Sequence, residues 1–296
     1  MSNVKFTGIM PAIATPFDEN QKLKEKTVSK MMDWHFDNGS AGFYICGAMG
    51  EGLALPKETR MRMAEVAVDN AKGKGVIIDH IGAANIGDTI ELTKHATKTG
   101  ADAVSSLPPS HFYAYDADEF VNYYKIIADN TDLPVIVYAK GSFAGMDLTD
   151  VLGKLMEIPN VIGAKYTLSD YYLFRKLKEL NGGDINMLNG PDETLICGLM
   201  MGADGGIGGT YNIMSDKYCD IYNYFRAGDI EAAQQAQYAV NKVISVMLKY
   251  GVVRTGKAVL EMMGFDIGYP VAPQRPFNAE QMQQVKKEII AAGLQI

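Results

Sequence analysis

Cysteine is scarce: Cys46, Cys197 and Cys219 are the only three in 296 residues, with no C-x-x-C among them. So odd and dispersed a set builds neither a disulfide framework nor a cysteine zinc site, and it fits a reducing cytoplasm. A basic excess is also missing. Lys and Arg total 28 against 35 Asp and Glu, a formal net charge of -7, with no dense basic run. Nucleic acid is held mainly by clustered positive charge, so it is excluded as a partner. No apolar run approaches the ~20 residues of a membrane span, which excludes the bilayer. The four histidines (His35, His80, His95, His111) lie in separate segments without ligand-like spacing, so no metal site is expected. The first sixteen residues carry one Lys, no long apolar core and an early Pro11, and do not read as a secretory signal. What is present, 47% apolar and 21% charged residues, suits a mildly acidic globular protein.

A β/α rhythm fills the first two thirds. Short β-rich runs occur at Phe6 to Thr15, Ala41 to Cys46, Val76 to Ile81, Asp102 to Leu107, Pro134 to Ala139, Asn160 to Tyr166, Ile185 to Leu188 and Asp204 to Gly208. Several are apolar without strict alternation, as strands covered on both faces are. Helix-length segments lie between them, and Gly39, Gly100 and Gly202 punctuate the helix-to-strand passages. Eight such units spaced roughly 20–35 residues apart predict an α/β fold, a (β/α)8 TIM barrel, with a doubly wound open sheet as the alternative. From Asp229 the residues Ile230, Ala233, Ala236, Val240, Val243, Ile244 and Met247 form a helical apolar stripe. Further helices are expected near Val259 and over Ala279 to Ala292. The chain therefore reads as a single domain over 1–296, a barrel over 1–225 and a helical extension over 226–296.

In such barrels the chemistry sits where strands end. Those ends supply Gly47-Ala48-Met49-Gly50-Glu51, Tyr138, Lys165, Gly190-Pro191-Asp192-Glu193 and Gly208-Gly209-Thr210. Lys165 closes the apolar run Val161 to Ala164, so its stem begins in the barrel mouth. A desolvated amine loses proton affinity, and a neutral lysine attacks carbonyls to form a Schiff base. A strand-end lysine reaching water is the plainer alternative. Tyr138 reads as a buried core phenol or a proton shuttle, and Asp192-Glu193 as a helix cap or a binder of sugar hydroxyls. The run Gly202 to Gly209 does not satisfy G-x-G-x-x-G, so no dinucleotide site is indicated.

Taken together, the chain resembles the N-acetylneuraminate lyase / dihydrodipicolinate synthase family of Schiff-base aldolases along nearly its whole length. The resemblance rests on Ile9 to Phe17 (IMPAIATPF), Gly50 to Leu55 (GEGLAL), Val137-Tyr138, Gly163 to Thr167 (GAKYT), Asn189 to Glu193 (NGPDE) and Gly202 to Met214 (GADGGIGGTYNIM). The last run and the Asp-Glu pair favour the lyase branch. The synthase branch carries an arginine soon after the strand-five tyrosine, where this chain has Ala139 to Gly145 without one.

The resemblance implies that Lys165 is the Schiff-base lysine and Tyr138 the proton-transfer phenol. It places Gly190, Asp192 and Glu193 on the sugar chain, Thr167 beside the imine, and Gly208 and Gly209 along the substrate. The implied reaction cleaves a 2-oxo sugar acid to pyruvate and an aldose such as N-acetylmannosamine. No cofactor is implied, and the resemblance suggests a homotetramer. Other 2-oxo acid aldolases and a non-catalytic sugar-acid binder are the alternatives. Two departures stand out. Members usually have hydroxyl residues before the Gly-Glu to hold the substrate carboxylate, where this chain has Ala48 and Met49; Lys140 is the candidate replacement, as a point charge. An extra residue in Pro108 to Tyr115 also leaves His111, Phe112 or Tyr113 for the position that a neighbouring subunit's aromatic fills in the family.

Overall fold

The computed structural model describes residues 5–109, 115–141 and 145–296. Eight parallel strands carry the architecture: β1 (Gly8–Pro11), β2 (Gly42–Ile45), β3 (Val76–His80), β4 (Ala103–Ser106), β5 (Val135–Ala139), β6 (Val161–Tyr166), β7 (Asn186–Asn189) and β8 (Gly205–Gly208). Each falls within or beside its expected run. They pair in the order β1-β8-β7-β6-β5-β4-β3-β2. The circle closes through the Ala12–Tyr44 bridge, where the Ile13 N–H donates to the Tyr44 carbonyl at 3.0 Å. The molecule is a (β/α)8 barrel, and the open-sheet alternative is excluded.

Helices α1 (Glu25–Asp37), α2 (Lys57–Ala71), α3 (Ile86–Thr99), α4 (Ala117–Ala128), α5 (Leu148–Leu155), α6 (Tyr171–Lys178), α7 (Leu195–Met200) and α8 (Ser215–Arg226) alternate with the strands. The period-two alternation of strand side chains decides which residues meet them. Phe43 packs outward on Phe36 and His35 of α1, and Tyr166 outward on Phe174 of α6. Their neighbours Tyr44 and Lys165 therefore point into the barrel. The punctuating Gly39, Gly100 and Gly202 all have positive φ, as helix-ending residues do.

Three more helices follow: α9 (Ile230–Tyr250), α10 (Val252–Met262) and α11 (Ala279–Ala291). The stripe on α9 buries Ala233, Val240, Val243, Ile244 and Met247, whereas Ile230 at its first turn is exposed. Among the described residues no helix is long and apolar enough to cross a membrane.

Candidate active site

The carboxyl ends of the strands open into a cavity of about 520 Å³. Lys165 stands in it on β6, 4% exposed. Its Nζ lies 4.2 Å from the ring centre of Tyr138 and 4.3 Å from that of Tyr44. Among the described residues no carboxylate reaches it at ion-pair distance. Burial pushes the amine down to about 7, with Lys140's charge adding to the effect and Asp192's opposing it. The water-reaching alternative for Lys165 is thus overturned: the strand places its amine among aromatic rings.

Tyr138, equally buried, ends β5 in register with Lys165. Burial raises its phenol, and the Lys140 charge and the Thr167 hydroxyl pull the other way. Thr167 follows β6 with its Oγ1 buried, and that hydroxyl faces the Tyr138 phenol. Gly190 makes room for that hydroxyl, because a Cβ there would lie 1.9 Å from it.

Asp192 does not cap the following helix. Its Oδ2 accepts from the Thr210 backbone N–H and hydroxyl, both at 2.7 Å, and Oδ1 has no partner. Burial raises this carboxyl to about 6, against the pull of the Thr210 donors and of Lys165. Glu193, beside it, is exposed on the cavity rim. Gly208 sits beneath rather than along the cavity: a Cβ there would meet Asp192 Oδ1 at 2.1 Å and the Tyr211 ring at 2.3 Å. Gly209 does line the space, with Met49 packed 3.5 Å from where its Cβ would be.

The loop after β2 brings Ala48 and Met49 to the same cavity, Ala48 exposed and Met49 buried. Glu51 holds this loop from behind. It adopts a left-handed φ of 56°, a conformation costing about 1–3 kcal/mol for such a residue. Its carboxylate offsets that by accepting from the Val271 N–H at 2.6 Å and pairing with the buried Lys257 at 2.5 Å. Lys140, exposed and without an ion-pair partner among the described residues, also lines the cavity. His111, Phe112 and Tyr113 lie outside the described residues.

Sequence reasoning missed one whole wall. Ile244 and Leu248 of α9, with Val252 and Val253 of α10, form an apolar side facing the polar strand ends. The available signal was Leu248, four residues beyond Ile244 on the stripe yet 64% exposed, an apolar residue the core does not use. Gln237 of α9 was also missed. It accepts from the Ile196 N–H at 3.1 Å and donates to the Asp192 carbonyl at 3.0 Å, tying the added helix to the turn that carries Asp192.

A closed parallel barrel with a desolvated lysine facing a phenol at its carboxyl end defines a class of α/β-barrel proteins equipped for carbonyl chemistry. Residues 5–292 match the dihydrodipicolinate synthetase family, and the chain belongs to it. It is 35% identical over 273 residues to the N-acetylneuraminate lyase of Citrobacter koseri, covering 92% of this chain and 91% of that protein. The N-acetylneuraminate lyase of Proteus mirabilis superposes with a TM-score of 0.93 at 29% identity, over 99% of this chain and 100% of that one. The N-acetylneuraminate lyase (sialic acid aldolase) of Aliivibrio salmonicida gives 0.93 at 30% identity, over 99% of each chain.

Proposed function

We propose that this protein is a class I aldolase that cleaves an N-acetylneuraminate-like 2-oxo sugar acid to pyruvate and an aldose such as N-acetylmannosamine. The observation that carries the reading is Lys165: buried, unpaired and brought down to about 7, it is a nucleophile near neutral pH. The named relatives support the same chemistry.

The neutral amine attacks C2 of the open-chain acid. Tyr138 gives its proton to the departing hydroxyl, water leaves, and a protonated imine remains. The phenolate then takes the C4 hydroxyl proton as the C3–C4 bond breaks. The bonding pair flows into the imine, giving an enamine and releasing the aldose. Protonation at C3 by Tyr138 and hydrolysis return Lys165 and free pyruvate. The lysine supplies the electron sink, so the reaction calls for no cofactor. Asp192, Glu193 and Gly190 would bind the sugar hydroxyls, with Thr167 beside the imine and Gly209 along the chain; Gly208 keeps space for Asp192. Ala48 and Met49 offer the substrate carboxylate only backbone N–H groups, and Lys140 would supply the charge.

The donor-poor Ala48-Met49 loop favours a second reading, a lyase for a different 2-oxo sugar acid. We also propose a homotetramer working in the cytoplasm. The exposed free thiol of Cys197 suits a reducing compartment, and light scattering would check the assembly.

The test is reduction with borohydride in the presence of pyruvate. A mass gain confined to Lys165 is expected, and its absence overturns the aldolase. Trapping without pyruvate release from N-acetylneuraminate would select the second reading.

A further inference from the structure

Tyr44 plays no part in the chemistry above, yet it approaches the reacting nitrogen as closely as Tyr138 does. It is wholly buried on β2 and points into the barrel. Its hydroxyl is engaged elsewhere, donating to Ser105 Oγ on β4 at 3.1 Å. The ring stands edge-on to Tyr138, with centres 6.0 Å apart and planes at 81°, and Lys165 Nζ sits against both. The turn after β2 fixes it from the other side. A Cβ on Gly47 would lie 2.5 Å from the Tyr44 ring, so that residue's bare backbone packs directly on it.

These contacts hold the ring still and leave its π-surface as an electron-rich neighbour of the nitrogen. No carboxylate among the described residues contacts that nitrogen, and a buried cation needs compensation. An aromatic ring provides it through its quadrupole, without offering a base that would compete for the proton. The protonated imine carries its positive charge on the same atom, so the ring that steadies the ammonium also steadies the intermediate.

We propose that Tyr44 is a further catalytic residue, whose ring, not its hydroxyl, stabilises the protonated imine formed on Lys165. The proposal rests on the Schiff-base reading above. Cation–π stabilisation in a desolvated site reaches about 2 kcal/mol, so losing it would raise the pyruvate concentration for half-maximal trapping by roughly tenfold or more.

The experiment measures borohydride trapping of pyruvate by mass spectrometry across a concentration series. It compares the wild-type protein, Tyr44→Phe, Tyr44→Leu and Tyr44 replaced by progressively fluorinated phenylalanines. Fluorination drains the ring face while keeping its shape, so the comparison survives even if Tyr44→Leu does not fold. Tyr44→Phe is expected to stay near wild type, and the requirement for pyruvate to climb stepwise with fluorination. A flat fluorinated series overturns the role of the ring. A Tyr44→Phe variant as impaired as Tyr44→Leu assigns the effect to the hydroxyl and also overturns it. If the wild-type protein itself traps no pyruvate, the Schiff-base reading fails instead.

Discussion

Burial of the Lys165 amine among two rings sets the pH behaviour of the proposed reaction at the level of a single residue. Below about 7 the amine is an ammonium and cannot attack; above it, the free base accumulates. The rate of pyruvate adduct formation, followed by quenched-flow trapping, is therefore expected to rise through pH 7 and then level off. Lys140 works on the same scale. Its ammonium lines the cavity unpaired, where a substrate carboxylate has no side-chain donor from Ala48 or Met49. Hydrogen bonds to charged groups contribute about 1.5–3 kcal/mol. Lys140→Met is accordingly expected to weaken pyruvate half-saturation by at least about tenfold, with the adduct still forming at high concentration. Unchanged half-saturation would remove Lys140 from the site.

At the scale of elements, helix α1 buries His35 against β2 and α8. Its Nδ1 bonds Ser215 Oγ at 3.1 Å, Nε2 has no partner, and burial drives the imidazole down to about 3. The folded protein thus keeps His35 neutral, while the unfolded chain protonates it below its ordinary 6.5. The linkage costs stability as pH falls from 6.5 towards 3, by up to about 1.4 kcal/mol per pH unit. His35→Gln is expected to flatten this slope in urea titrations at several pH values, even if stability at neutral pH is lower. The elements themselves were legible. Several strands were marked by apolar runs, as strands covered on both faces are, and others by the glycines and the spacing of the repeated units. Lys165 and Tyr138 stood out because each closes such a run. The pairing of Asp192 with Thr210 was not legible, nor was the wall from α9 and α10. Both depend on how segments distant in the chain meet, and no local periodicity encodes that. Gln237 shows the difficulty: on its own helix it is one polar position amid an apolar stripe, and only the fold puts the Asp192 turn opposite.

For the whole molecule, the buried Lys257–Glu51 pair joins α10 to the loop after β2 across much of the sequence. Burial lowers the Lys257 amine to about 8, with Glu51 opposing the shift, and Nζ also donates to the Tyr269 carbonyl at 3.0 Å. Removing one partner of such a pair leaves an uncompensated charge and costs about 3–5 kcal/mol. Lys257→Met is expected to lower stability by that order in chemical denaturation. Adding Glu51→Gln should recover much of the loss, since the stranded carboxylate is then gone.

The wall formed by Ile244, Leu248, Val252 and Val253 faces strand ends that carry the reactive groups. The reactive strand ends and one wall of the cavity are therefore written in different stretches of one chain. A lineage can revise the last helices, and with them the shape and greasiness of what is admitted, without disturbing the lysine on β6. Gln237 and Lys257 set the terms of that freedom: any exchanged segment must still reach back to the Asp192 turn and to Glu51.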